Sequence, residues 1–148
     1  MNDILTPLGA LFYVEDVVKK PFPALEYVIL QSGRAASEYA IRIIRKRWPK
    51  AESIIRHNHD WDSWPVSGWD AYCSNFFRDF TDTDKLQWLR EDGITDDWLE
   101  KLNRWGMSKR VQKYIVRTRP DLIGRIEHLE SSLKKKYWHE AELAGVDL

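Results

Sequence analysis

The sequence predicts an all-α chain, and three observations carry that expectation. Apolar residues recur every three or four positions along most of its length. No run shows the period-two alternation of a half-buried strand. Ser, Thr, Pro and Gly fall where helices would start and stop. A chain of 148 residues suits one domain and is long enough to bury a real core, so the expected architecture is a compact multi-helix bundle over 1–148.

The elements follow from local signals. Thr6 and Pro7 read as an N-cap and a first helical position, followed by Leu8, Leu11, Phe12 and Val18 at helical spacing. Pro21 and Pro23 stop that helix. A second runs from Ala24 to Gln31, with Leu25, Val28 and Ile29 on one face, and Ser32-Gly33 breaks it. Residues 34–47 give the clearest helix, with Ala36, Ala40, Ile43 and Ile44 facing inward and Arg42, Arg45 and Lys46 outward. Trp48 lies before Pro49, where α backbone is disfavoured, and Pro49 is suited to open the next helix through Ala51, Ile54 and Ile55. Residues 57–68, "HNHDWDSWPVSG", read as an irregular Trp-rich insertion.

Ser67 is placed to cap a helix through Trp69, Tyr72, Cys73, Phe76 and Phe77. Thr81 or Thr83 caps a short helix that Gly93 stops. Thr95 caps another, with Asp96 and Asp97 in the first turn, and Gly106 ends it. Ser108 caps a helix containing Val111, Tyr114 and Ile115. Pro120 is expected to open the last and longest helix, with Leu122, Ile126, Leu129 and Leu133 on one face.

Two stretches look alike: Leu25 to Glu52 and Gln112 to Glu142. Each runs from Tyr and apolar residues through an amphipathic helix to a basic cluster, a Trp and an Ala-Glu pair. The first also resembles a short helix-pair repeat of largely uncharacterised phage and bacterial proteins, in which Tyr-Ala leads to Arg-Trp-Pro-Glu-Ala-Glu. The matching residues are Tyr39, Ala40, Ile43, Arg47, Trp48, Pro49, Ala51 and Glu52, with Lys50 in place of the usual acid. The resemblance covers about a third of the chain. It implies degenerate helix-pair repeats that stack on neighbours and expose a partner surface, and a phage- or prophage-encoded modulator of a host protein. It supplies no catalytic residues.

Composition narrows the function classes. Lys+Arg and Asp+Glu both total 23, a balance unlike that of a general nucleic-acid binder, so any such role must rest on local charge asymmetry. The single Cys73 leaves no internal disulfide framework and fits a reducing, cytoplasmic setting. Its aromatic neighbours point to burial rather than nucleophilic chemistry. The apolar run from Leu8 to Val14 is broken by Gly9 and followed by Glu15 and Asp16, so neither a signal peptide nor a membrane span is expected. Of the eight Trp residues, most are expected in the core, with an exposed minority available for recognition.

Three acidic or histidine clusters hold residue types that chemistry uses. His57, His59, Asp60 and Asp62 hold ligand types for a divalent metal, but a polar loop is the simpler account. Asp79, Asp82 and Asp84 lack the Gly and distant Glu of a calcium loop, and capping explains them better. Asp96 and Asp97 read as dipole partners of a helix N-terminus rather than as an acid–base pair. No catalytic residue, cofactor or metal ligand is therefore assigned.

The sequence favours a non-enzymatic protein–protein interaction module that binds through a Trp/Arg-rich surface: Trp61, Trp64 and Trp69 in the insertion, with Arg42, Arg45 and Lys46. Nucleic-acid binding through the basic segments 42–50, 104–119 and 134–136 is the first alternative. A metal-dependent hydrolase built on His57 and His59 is the second.

Overall fold

The computed structural model of the chain describes residues 5–57 and 67–143. Among them every regular element is helical and none is a strand, as the sequence predicts. The chain divides into two compact units, Met1–Asp79 and Phe80–Leu148.

The first unit opens with α1, Pro7–Tyr13, capped by the Thr6 hydroxyl, which accepts the Gly9 amide at 3.1 Å. The helix widens into a π turn, Val14–Val18, and ends at Lys19 in the left-handed region. α2, Pro23–Ile29, follows. Ser32, which the sequence marks only as a break, is the N-cap of α3, Gly33–Tyr39. α3 repeats the ending of α1: a π turn over Ala40–Ile44, then Arg45 at φ 63°. The helix therefore ends at Ile44, short of residue 47. Ile43 and Ile44 are only half-buried, while Ala36, Tyr39 and Ala40 carry the buried face. α4, Pro49–His57, and α5, Gly68–Phe76, complete the unit, with Ser67 capping α5 as expected.

α3 and α5 cross at two glycines. A Cβ on Gly68 would stand 2.9 Å from the carbonyl oxygen of Gly33, and the Ser37 hydroxyl donates to the Gly68 carbonyl at 2.7 Å. The lack of a side chain lets the two backbones meet. Leu11, Val14, Ile29, Tyr39, Ile55, Tyr72 and Cys73 fill the core around them.

Left-handed backbone is costly for a residue with a Cβ. Arg45→Gly is therefore expected to raise stability by about 0.5–1 kcal/mol, the relief of that strain less the entropy glycine adds to the unfolded chain. Urea denaturation checks this, and a loss of stability would show that the Arg45 side chain contributes more than its backbone costs.

The second unit is a run of capped helices. α6, Asp82–Asp92, begins in a capping box between Thr81 and Asp84. α7, Asp96–Trp105, starts at Thr95, and α8, Lys109–Thr118, at Ser108. Gly93 and Gly106, at φ 84° and 110°, turn the chain between them where an L side chain would be strained. Trp88 and Trp98 stack with ring centroids 6.1 Å apart, and Phe80 meets Trp88 edge-on at 4.9 Å. The Trp98 indole N–H donates to Asp92 at 3.1 Å.

The last element corrects the sequence reading. Pro120 opens a 3-10 turn, Pro120–Arg125, and Ile126 is extended; α9 begins only at Ser131 and runs to Leu143. The buried Gln112 side chain explains the interruption. It donates to the His128 carbonyl at 3.1 Å and accepts from the Glu130 amide at 2.9 Å, so the non-helical backbone there is satisfied from α8. The proposed likeness of Leu25–Glu52 to Gln112–Glu142 is not carried by the geometry either. Trp48 is buried at a corner before proline, whereas Trp138 is half-exposed inside α9 and donates to Glu142.

Candidate binding surfaces

Two arrangements in the structure are built with enough care to concern function. One is a buried latch that shapes the first unit, and the other is a basic groove on the second.

The latch starts from the corner of Trp48 and Pro49. Because the residue before proline is extended, the Trp48 amide has no helical acceptor, and it donates to the Tyr72 hydroxyl of α5 at 2.8 Å. That hydroxyl donates in turn to Glu52 at 2.5 Å. Arg47 grips the same carboxylate through two bonds of 2.8 Å and donates to the Asp79 carbonyl. Glu52 is 5% exposed and the Arg47 side chain 19%, so this forked pair is part-buried, its carboxylate end inside and its guanidinium at the edge.

The same latch occurs once more, with its corner and glutamate 26 residues earlier and its tyrosine 33 residues earlier. The Phe22 amide before Pro23 donates to the Tyr39 hydroxyl at 2.9 Å, and Tyr39 donates to Glu26 at 2.7 Å. The sequence marks Trp48-Pro49 as a corner, but it gives no role to Tyr39, Tyr72 or Glu26 beyond pattern. The available signal was the aromatic–Pro–x–x–Glu spacing shared by Phe22 to Glu26 and Trp48 to Glu52.

Burial, and then the hydrogen bond each makes to its glutamate, push both tyrosine hydroxyls well above their ordinary pKa. The folded state thus holds these protons more tightly than the unfolded chain. Their contribution is complete below the ordinary tyrosine value of about 10 and is lost as pH rises above it. Urea midpoints taken from pH 8 to 11 are expected to fall above pH ~10, less steeply in Tyr72→Phe. A Tyr72→Phe profile as steep as that of the unaltered chain would count against the latch.

The groove lies between α6 and α8, with a volume of about 460 Å³. Arg90 from α6 and Arg110, Lys113 and Arg117 from α8 line it, with Leu86, Tyr114 and Thr118. Helical spacing puts Arg110, Lys113, Tyr114 and Arg117 on one face. The Arg90 guanidinium sits over the Tyr114 ring, 5.5 Å from its centroid. From Lys101 to Pro120 the chain has no Asp or Glu, and among the described residues none of the four cations forms an ion pair. Of the other cations in 104–119, Arg104 covers Trp105, and Arg119 is held in a forked pair with Asp121, whose bond keeps that carboxyl below its usual range.

The residues favoured from sequence fare differently. Trp61 and Trp64 lie outside the described residues. Trp69, expected to be exposed, is 5% exposed; it is in the first turn of α5 and stacks on Tyr72 at 5.9 Å, so it serves the core. Arg42 is exposed and paired with Glu15 at 3.4 Å. Arg45 and Lys46 are exposed, with Arg45 donating to the Arg42 carbonyl. Lys134 and Lys136 lie over Trp138 and Tyr137, respectively. His57 is exposed in the last turn of α4, while His59, Asp60 and Asp62 lie outside the described residues; no cluster of three potential metal ligands occurs among those described. Asp82, Asp96 and Asp97 act structurally: they pair with Ser108, Arg125 and Lys101.

No helix among the described residues is long and apolar enough to cross a membrane. Comparison with protein-family models, with curated proteins and with solved structures found no match.

Proposed function

We propose that this chain is a non-enzymatic binding module and that the α6–α8 groove is where it takes a single-stranded nucleic acid. The observation that supports this most is the set of four cations gathered in one groove with no acid in its lining and no ion pair to a described one. A chain of zero net charge that concentrates unpaired cations around a half-buried tyrosine ring, one face of which carries the Arg90 guanidinium, supplies two elements of strand recognition: phosphate contacts, and an aromatic edge and guanidinium plane for a base to stack on. Along α8 the three cations rise in steps of about 4.5 Å and about 6 Å, a row along one face of the helix.

Fluorescence anisotropy with a labelled single-stranded oligonucleotide at low salt tests the reading. Saturable binding that an unlabelled strand displaces is expected. Binding of a Glu-rich peptide in preference to the strand would transfer the groove to an acidic protein partner, and no binding of the strand at low salt would reject the proposal.

A protein partner remains a second reading on a separate observation. The first unit leaves Phe12, Val17 and Tyr27 exposed, at 39%, 61% and 64%. Apolar side chains presented this way suit contact with another polypeptide, and Arg42, Arg45 and Lys46 lie in the same unit. A host protein modulated by a phage-derived chain is one such partner.

A further inference from the structure

We infer that Tyr13 is an open latch: the face of α1 around it accepts an aromatic–Pro–x–x–Glu corner supplied by another polypeptide. The inference rests on the register of the first unit and is independent of the basic groove.

α1 and α3 are copies at an offset of 26 residues. Thr6 and Ser32 cap them, and each hydroxyl accepts the amide three residues on at 3.1 Å. Tyr13 and Tyr39 each stand seven residues after the cap and are the last residues before the π turns. Those turns close in the same way, Lys19 N–H to the Val14 carbonyl at 2.6 Å and Arg45 N–H to the Ala40 carbonyl at 2.7 Å. Lys19 and Arg45 then take nearly the same left-handed backbone, φ 61°, ψ 24° and φ 63°, ψ 29°. The corners Phe22-Pro23 and Trp48-Pro49 follow, and then Glu26 and Glu52.

Each corner is held by a tyrosine that follows it: Tyr39 stands in the 26-residue register, whereas Tyr72 stands five residues after its cap Ser67 rather than seven. Tyr39 takes the corner of Phe22 and Glu26, and Tyr72 takes that of Trp48 and Glu52. Tyr13 stands where Tyr39 stands, one repeat earlier. Its side chain is half-buried, and among the described residues its hydroxyl has no hydrogen-bond partner. Phe12 and Val17, exposed beside it, would be covered by an incoming helix start. Both aromatic–Pro–x–x–Glu corners among the described residues are already held by tyrosines of this chain, so a second copy has no free one there to offer. The occupant must therefore bring its own extended residue before proline, whose amide the phenol accepts, and a glutamate three residues after the proline, to which the phenol donates.

The probe is a synthetic peptide with the sequence of residues 45–57, titrated into the isotopically labelled full chain and followed by NMR. Shift changes centred on Phe12, Tyr13 and Val17 are expected. They should disappear when the peptide carries Glu52→Ala, which removes the acceptor, and again when the protein carries Tyr13→Phe. The circular dichroism of Tyr13→Phe should match that of the unaltered chain, because the hydroxyl it removes bonds to nothing described. No shifts at millimolar peptide, or shifts that survive either substitution, would overturn the inference.

Discussion

Glu52→Ala is expected to lower the stability of the first unit by about 2–4 kcal/mol, because it removes the acceptor shared by Arg47 and the buried Tyr72 hydroxyl. The substitution strips Arg47 of its two bonds to the carboxylate, leaving the one to the Asp79 carbonyl, and takes the acceptor from the fully buried Tyr72 hydroxyl. The Trp48 amide still reaches that hydroxyl, so the corner loses its anchor rather than its first bond. Glu52→Gln keeps an acceptor for Tyr72 but not the charge, and should fall between the two. Denaturation of the full chain, followed by the circular dichroism of its helices, orders the three. A loss below ~1 kcal/mol for Glu52→Ala would place this pair with exposed salt bridges, which contribute little.

The second large effect is on binding. Reversing charge at Arg110, Lys113 and Arg117 together is expected to weaken oligonucleotide binding by at least ~100-fold at low salt, since three phosphate contacts become three repulsions. All three side chains are exposed, so the fold should be unaffected. Tyr114→Ala, by contrast, should cost about 1–3 kcal/mol of affinity while leaving the salt dependence nearly unchanged, because stacking releases no counterions. Arg42, Arg45 and Lys46 serve as the control surface, and reversing them should leave strand binding unaltered.

Helix starts were legible in the sequence because their signal is local. Thr6, Ser67, Thr81, Thr95 and Ser108 each cap the helix they precede. The stops at Gly93 and Gly106 were legible for the same reason. What hid from sequence was set by tertiary partners. A helical pattern runs from Leu122 to Leu133, yet Gln112 takes the intervening backbone into its own hydrogen bonds. Trp69 was read by its neighbourhood in a Trp-rich stretch, although its place in the first turn after Ser67 turns it toward Tyr72. Glu52 stands in the sequence only as part of a pattern, because only the fold brings Arg47 and Tyr72 to it. The basic groove was half legible: the acid-free segment is visible in sequence, but the arrival of Arg90 from α6 over Tyr114 is not.

The salt dependence of strand binding tests the central claim most directly. Affinity for a labelled single-stranded oligonucleotide, measured between 50 and 200 mM salt, should fall with a log–log slope near −3, as about four phosphate contacts in single-stranded nucleic acid require. The slope should shrink toward zero in the triple charge reversal. A flat dependence in the unaltered chain, or a slope that the reversal does not change, would contradict the assignment of the α6–α8 groove as the binding surface.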